Sequence, residues 1–276
     1  MIASSPPRHP AGAGLAPAWA AARSRLWLVA ALLALAVAAW WSTADRMRDM
    51  DAGPWTALGT LGWFLGVWLV MMAAMMLPSV APTVALYARM TRAGSPVLPF
   101  AFTGGYLVVW GAAGAFAFAV AFAGAKIAGD VLAWDRAGRW VAGLTLIAAA
   151  GYELTPLKDV CLTKCRSPLG FLLGSWREGK SGALQMGARH GGWCVGCCWA
   201  LMASLFALGV MSLAWMAFIA ALIAAEKVLP WRRPATYGTA GILLALGVVL
   251  LVAPDAIPAL TIPGHDAMSP MNQMEP

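Results

Sequence analysis

The sequence predicts an all-α fold, a polytopic membrane bundle of about seven transmembrane helices with the N-terminus in the cytoplasm. The chain is 61% hydrophobic and only 11% charged, whereas a soluble domain has roughly 45–50% apolar and about 25% charged residues. Apolar runs long enough to cross a bilayer recur along the chain. The 15 tryptophans are typical of proteins that place aromatic rings at two membrane interfaces.

Seven runs are long enough to span, since about 20 apolar residues cross the hydrocarbon core. The first run follows Arg23 and Arg25 and resembles a signal peptide. Because Trp40, Trp41 and a charged cluster follow it in place of a small-residue cleavage site, we interpret it as a retained helix. Cleavage of this run would leave six spans. The runs lie at approximately 26–42, 60–88, 98–125, 139–157, 193–210, 212–229 and 237–254.

Two tails flank the helical domain, which we place at 25–256. Residues 1–24 are rich in Pro, Ala and Gly, which predicts disorder. Residues 257–276 predict a second disordered tail, whose histidine and methionine side chains would suit an arm that binds copper weakly. An ordinary disordered terminus is the simpler interpretation. The side chains concerned are His265, Met268, Met271 and Met274.

The distribution of lysine and arginine predicts the orientation. Most of the 19 basic residues fall in the segments that are inside if the N-terminus is cytoplasmic. The richest is 158–192, which we predict to be a cytoplasmic or interfacial loop with a flexible end at 181–192. Within it, the apolar stretch 168–176 is too short to span, so we expect it in the interface or as a re-entrant segment.

The net charge of +7 fits cytoplasmic loops. A nucleic-acid partner is not expected, because no basic stripe with interleaved aromatic residues occurs. The expected partners are the lipid bilayer and a metallochaperone or metalloenzyme, and the oligomeric state stays open. The chain also lacks the phosphate-binding loop, nucleophile elbow and zinc-protease motif. ATP use and hydrolysis are therefore not expected of this chain.

Five cysteines form two groups that point to metal or thiol chemistry. Cys161 and Cys165 follow the fourth predicted helix, and Cys194, Cys197 and Cys198 begin the fifth. In this topology all five lie at the cytoplasmic face, where the reducing environment disfavours disulfides. Their spacing falls in the range of paired zinc ligands, and thiolates also select Cu(I). Simple packing as small hydrophobic residues is the alternative.

Methionines form a second and weaker candidate group. Four of them occur in six residues of the second predicted helix, just before Pro78, which lacks an N–H and frees a backbone carbonyl. Thioethers bind soft cations, although methionine also serves as adaptable apolar filler. The candidate thioether ligands are Met71, Met72, Met75, Met76 and, one turn beyond the cysteines, Met202.

Two carboxylates inside apolar runs are further candidates, because membrane-embedded charges mark functional sites. Glu153 ends the fourth run and is expected to pair with Lys158, and Glu226 ends the sixth. Each would be either half of an ion pair that reaches the interface or a partner of the metal site that balances its charge. His190, four residues before Cys194, is a weaker candidate ligand. Glu226 is expected to pair with either Lys227 or Arg232.

Four segments within approximately 60–230 resemble an uncharacterised bacterial family whose members are described as predicted metal-binding integral membrane proteins. The resemblance implies several membrane helices and a bound metal, without an established reaction. The segments are Trp68-Leu-Val-Met-Met-Ala-Ala-Met-Met-Leu-Pro78, Tyr152-Glu-Leu-Thr-Pro-Leu-Lys-Asp-Val-Cys-Leu-Thr-Lys-Cys-Arg-Ser-Pro168, Gly191-Gly-Trp-Cys-Val-Gly-Cys-Cys-Trp-Ala-Leu-Met202 and Glu226-Lys227.

The sequence therefore predicts a multi-pass protein of the inner membrane that binds a soft metal, Cu(I) before Zn²⁺, in metal delivery, uptake or metalloenzyme assembly. Two alternatives remain open. The first is a membrane thiol-disulfide oxidoreductase, since Cys194 and Cys197 form a Cys-x-x-Cys pair at a predicted helix start, where the helix dipole favours a thiolate. The second is a membrane scaffold whose cysteines only pack.

Overall fold

The computed structural model of the chain describes residues 26–47, 59–91, 97–128, 137–208 and 212–253. These residues form an all-α structure, as the sequence predicts, and the predicted tails lie outside them. The helices of the described residues are α1 (Leu26–Met47), α2 (Leu61–Met90), α3 (Val97–Ala128), α4 (Arg139–Glu153), α5 (Pro156–Arg166), α6 (Pro168–Ser175), α7 (Gly179–Leu208), α8 (Leu213–Val228) and α9 (Arg232–Val252).

Among the described residues, five helices are long and apolar enough to cross a membrane: α1, α2, α3, α7 and α9. A sixth span results if α4 and α5 are counted together, although they meet at a bend of 68°. The prediction of seven spans is therefore not confirmed. The run predicted at 212–229 forms α8, whose 16 residues fall short of the approximately 20 that a span needs.

Pro78 interrupts the hydrogen bonding of α2 without ending the helix, which continues to Met90. A proline at this position has no N–H to give to the carbonyl one turn earlier, that of Ala74. The indole Nε1 of Trp40 on α1 donates to this carbonyl at 3.2 Å. The freed carbonyl expected from the sequence is thus used to join α1 to α2.

The bend between α4 and α5 follows from the sequence Leu154-Thr-Pro156. The residue before a proline avoids the helical region, and Thr155 is extended here, with ψ at 149°. Its Oγ1 accepts from the backbone N–H of Lys158 and donates to the carbonyl of Tyr152, so one side chain ends α4 and caps α5. Proline at the first position of α5 suits a helix start.

The interval 158–192, predicted as a loop, is mainly helical. It contains most of α5, all of α6 and the first half of α7. The prediction of a flexible end at 181–192 is wrong, because α7 begins at Gly179, whose φ of +77° is available at low cost only to glycine. Ala183 and Met186 are completely buried, so packing stabilises this glycine-rich segment as a helix despite its weak propensity.

The most extensive helix contact joins α3 to α7. Glycines allow the two backbones to approach closely, because a methyl group on Gly105 would overlap the Leu184 carbonyl and one on Gly187 would overlap the Phe102 carbonyl. Such contacts between small residues are typical of membrane helix pairs. Since α5 and α8 also contact α7, α7 is the helix against which the cysteines of the chain are assembled.

Candidate metal centre

Three cysteine thiols from two helices lie close together. Cys165 comes from the last turn of α5, and Cys194 and Cys197 come from α7. Their Sγ atoms lie within 4.8 Å of one another. The sulfur atoms of a trigonal thiolate site with metal–sulfur bonds of about 2.3 Å lie about 4 Å apart. Small side-chain rotations would therefore bring the three sulfurs onto one ion.

Helical spacing explains why these three thiols converge. Cys194 and Cys197 are three residues apart and so share a face of α7. On α5, Lys158, Leu162 and Cys165 lie on one face, and the bend after Glu153 turns this face toward α7. Cys194 and Cys197 are each 1% exposed, whereas Cys165 is half-buried.

The other two cysteines lie outside this group of three. Cys161 is buried with its Sγ facing Gly196 on α7, where an added methyl group would lie 2.8 Å from the sulfur. The thiols of Cys197 and Cys198 both donate to the backbone carbonyl of Cys194, at 3.1 and 3.0 Å. The two cysteine groups thus meet as predicted, but the group of close thiols contains three of the five cysteines.

A lysine ammonium group lies directly against the thiols. Lys227 of α8 is buried, and its Nζ is 3.1 Å from the Sγ of Cys194. The same Nζ lies 3.3 Å from Ser79 Oγ and 3.8 Å from Met76 Sδ on α2. The predicted pair of Lys227 with Glu226 is therefore not formed, and Lys227 contacts the Cys194 thiol instead. Its charge offsets the negative charge that the cysteines acquire when they become thiolates.

Tyr106 is a contact of the site that the sequence reasoning did not find. Its hydroxyl group lies 3.0 Å from the Sγ of Cys194, and the residue is completely buried. The signal was present, since Tyr106 is a phenol in an apolar run, directly after Gly104 and Gly105. Buried phenols in such positions normally have a hydrogen-bond partner, but the partner is 88 residues away in sequence.

Both predicted carboxylates bind the same lysine. The Nζ of Lys158 donates to Oε2 of Glu153 and, at 2.7 Å, to Oε2 of Glu226. All three side chains are at most 2% exposed. The predicted pair of Glu153 with Lys158 is confirmed, and it is buried within the protein. Arg232 pairs with Asp159 at 3.3 Å instead of with Glu226.

The ion cluster Glu153–Lys158–Glu226 adjoins the thiols without joining their group. Glu226 precedes Lys227 in α8, and Lys158 lies on the same face of α5 as Cys165. Because a buried charge is costly unless it is paired, the cluster fixes α4, α5 and α8 relative to one another. The group of three thiols within the described residues contains no carboxylate oxygen, so these glutamates are neighbours of the centre.

The methionines occupy the apolar core around the centre. Four of the five have no more than 4% exposure, and Met75 has 7%. The only one of them for which a polar contact is described is Met76, whose sulfur lies beside Lys227. This contact connects the methionine segment of α2 to the thiols through one ammonium group. The other four predicted methionines, which also lie in the core, are Met71, Met72, Met75 and Met202.

Cys194 and Cys197 lie in the interior of α7, so the helix dipole does not activate them as a redox pair in the way that the sequence predicts. The predicted helix start at residue 193 is wrong, since α7 begins at Gly179, 15 residues before Cys194. At 1.5 Å per residue this is about 22 Å, and the helix dipole acts only over the first turn. In addition, Cys194 and Cys197 are almost completely buried, whereas thiol exchange needs access to a second thiol.

Five or six helices in the described residues are apolar enough to span a membrane, and three thiols form a cluster that could hold a metal ion. These features define the class of candidate membrane metal-binding proteins. Residues 65–250 match the PpoB2 family model, whose description is copper chaperone. The match covers more than half of the chain, which therefore belongs to this family. It also confirms the metal-related part of the resemblance. No curated protein and no solved structure matches the chain.

Proposed function

We propose that this chain is an integral membrane copper chaperone that binds Cu(I) through Cys165, Cys194 and Cys197 and passes it to a copper-handling protein. The observation that carries the proposal is the approach of three thiols from α5 and α7 to within 4.8 Å in a chain of a copper-chaperone family. Copper is the cargo of this protein, and the cysteines hold it during transfer.

The donor set favours Cu(I) over zinc. Thiolates are soft ligands that select Cu(I), and Cu(I) is satisfied by two or three of them. Structural zinc sites are almost always four-coordinate, whereas the group of metal-ligating side chains in the described residues supplies three. Three thiolates and one Cu(I) ion carry a net charge of −2, and the buried Lys227 ammonium group offsets one unit of it.

The unequal burial of the three cysteines supports a transfer function. Cys194 and Cys197 are buried, and Cys165 is half-buried at the end of α5. Cys165 is the most exposed residue of the three, so we infer that a partner approaches the bound copper from the side of Cys165. A resident structural metal is more commonly enclosed by all its ligands.

The membrane location is part of the proposal. Helices α1, α2, α3, α7 and α9 supply the apolar length that a multi-pass protein needs, and the lipid bilayer is then its immediate partner. The concentration of Lys and Arg in 158–192 supports a cytoplasmic position for this end of the bundle. A bacterial inner membrane with copper delivery to a metallochaperone or metalloenzyme fits these features.

Metal titration of the purified chain tests the proposed ligands. The protein in detergent, kept reduced and free of oxygen, is titrated with Cu(I) against a chromophoric Cu(I) chelator. We expect one Cu(I) per chain for the wild type and none for the triple variant C165S/C194S/C197S.

The double variant C161S/C198S is the matched control, since it also removes buried thiols from α5 and α7. We expect it to bind one Cu(I) with the wild-type affinity. Equal binding by the wild type and the triple variant would refute the assignment. Loss of binding in both variants would favour a five-thiol site, and preference for Zn²⁺ by the wild type would change the cargo.

A further inference from the structure

His190 is a buried side chain that the proposed three-thiol site does not use. It lies in the middle of α7 and is 2% exposed. Within the described part of the chain its Nδ1 has no hydrogen-bond partner. Buried polar groups are paired in the great majority of cases, and an exception calls for an explanation such as an ion that the group binds.

The surroundings of His190 provide no hydrogen-bond partner for its Nδ1 atom among the described residues. Its ring packs against three aromatic rings, with centroids at 4.9 Å for Phe171 and 6.1 Å for both Phe102 and Tyr106. The phenylalanines offer no hydrogen bond to Nδ1, and the Tyr106 hydroxyl group is directed to Cys194. The Nδ1 atom of the imidazole thus lies without a hydrogen-bond partner in a pocket formed by aromatic side chains.

The pocket adjoins the thiol cluster. His190 and Cys194 are four residues apart on α7, which places their side chains one above the other on the same face, about 5–6 Å apart at Cβ. Tyr106 forms a wall common to both, because its ring contacts His190 and its hydroxyl group contacts the Cys194 thiol. The close approach of α3 at Gly187 and Gly191 fixes this wall in place.

We propose that His190 and Cys194 form a second, two-coordinate Cu(I) site, one turn of α7 before the three-thiol site. Copper binds the Nδ1 lone pair of the neutral imidazole and the Sγ of Cys194, whose proton is released to the medium. Imidazole and thiolate both bind copper. Cys194 is common to the two sites, so one Cu(I) ion occupies one or the other. The inference depends on the proposed copper function and identifies a position through which the cargo passes.

The double variant C165S/C197S isolates the second site, because it keeps Cys194 and His190 while it removes the other two thiols. The variant is loaded with one equivalent of Cu(I) without oxygen and studied by copper K-edge X-ray absorption. We expect one sulfur and one nitrogen neighbour, with the multiple scattering of an imidazole ring.

The triple variant C165S/C197S/H190F supplies the control, since phenylalanine fills the aromatic pocket without a ligand atom. We expect it to lose the imidazole signal and at least tenfold in Cu(I) affinity relative to the double variant. The single variant H190F should keep one Cu(I) with three sulfur neighbours, which also shows that the substitution preserves the fold.

Two results would overturn the second site. One is a double variant that binds no Cu(I) or binds it without an imidazole signal. The other is an imidazole signal that persists in the triple variant, because another histidine would then be the ligand. In both cases, a wild type that binds Cu(I) through three sulfurs leaves the proposed function intact. A wild type that binds no Cu(I) would instead contradict the proposed function itself.

Discussion

A buried cation, the ammonium group of Lys227, lies against the thiols, with its Nζ 3.1 Å from Cys194 Sγ. A lysine ammonium group has no lone pair for a metal, so Lys227 acts on the centre through its charge. It also donates to Ser79, which fixes its position between α2 and α7. Groups that orient and balance metal ligands in this way commonly contribute a factor of 10–100 to metal affinity.

Substitution of Lys227 by methionine should therefore weaken Cu(I) binding by about 10- to 100-fold. The thiolates would lose their buried counter-charge, while the apolar volume of the side chain would be kept. Competition with a Cu(I) chelator measures the change. The matched control K180M removes an exposed lysine from the first turn of α7 and should bind as the wild type does. Equal affinities for both variants would show that the charge of Lys227 does not matter.

At the level of single residues, the sequence identified the thiols and the carboxylates but not all of their partners. The spacing of Cys161 with Cys165, and of Cys194 with Cys197, is enough to place each pair on one face of a helix, because both segments are helical. The contacts of Tyr106 and Lys227 join positions that are 88 and 33 residues from Cys194. Such contacts depend on how the helices pack, which local spacing does not specify.

Among the secondary-structure elements, α7 organises the site, because α3, α4, α5 and α8 all contact it. The phenol of Tyr152 on α4 donates to the carbonyl of Gly196 at 2.5 Å, and Gly196 leaves room for the Cys161 sulfur. The contact with α3 needs Gly105, opposite the Leu184 carbonyl. The geometry of the thiols therefore depends on close helix contacts that small residues permit.

Gly105→Ala should separate α3 from α7 and destabilise the protein by about 1–3 kcal/mol, the usual cost of overpacking a close contact. The variant should also lose the contact between Tyr106 and Cys194. Reversible unfolding in mixed micelles measures the change in stability. Gly104→Ala is the matched control, because open space surrounds this position. It should be neutral or slightly stabilising, since alanine favours a helix more than glycine does. Similar losses in both variants would contradict the role assigned to Gly105.

The start of a helix was predicted well where the helix begins with an apolar run. The starts of α1, α2, α3 and α4 lie within one residue of the predicted runs. The prediction was wrong at α7, because polar and glycine-rich residues 179–192 indicate a loop on propensity alone. Burial against α3 overrides that preference. The sharp turn from α4 to α5 was also missed, although Thr155 and Pro156 are its local signal.

For the whole molecule, composition was sufficient to predict the class of fold. It was not sufficient to predict the number of membrane spans. Low charge and recurring apolar runs suffice to predict helices that cross a membrane. Whether α8 and the bent pair α4–α5 span depends on helix length and on the 68° break. These short and broken elements carry Lys227, the ion cluster and Cys165. The least regular part of the bundle thus supplies the partners of α7 in the candidate centre.

The three-thiol copper site is best tested by identifying the ligands of the bound copper. The wild-type chain is loaded with one equivalent of Cu(I) without oxygen and studied by copper K-edge X-ray absorption. We predict a first shell of three sulfur atoms at about 2.3 Å, the length of a metal–thiolate bond. The signal should be absent from C165S/C194S/C197S treated in the same way. A first shell of nitrogen and oxygen, or a sulfur shell that persists in this variant, would contradict copper binding by Cys165, Cys194 and Cys197.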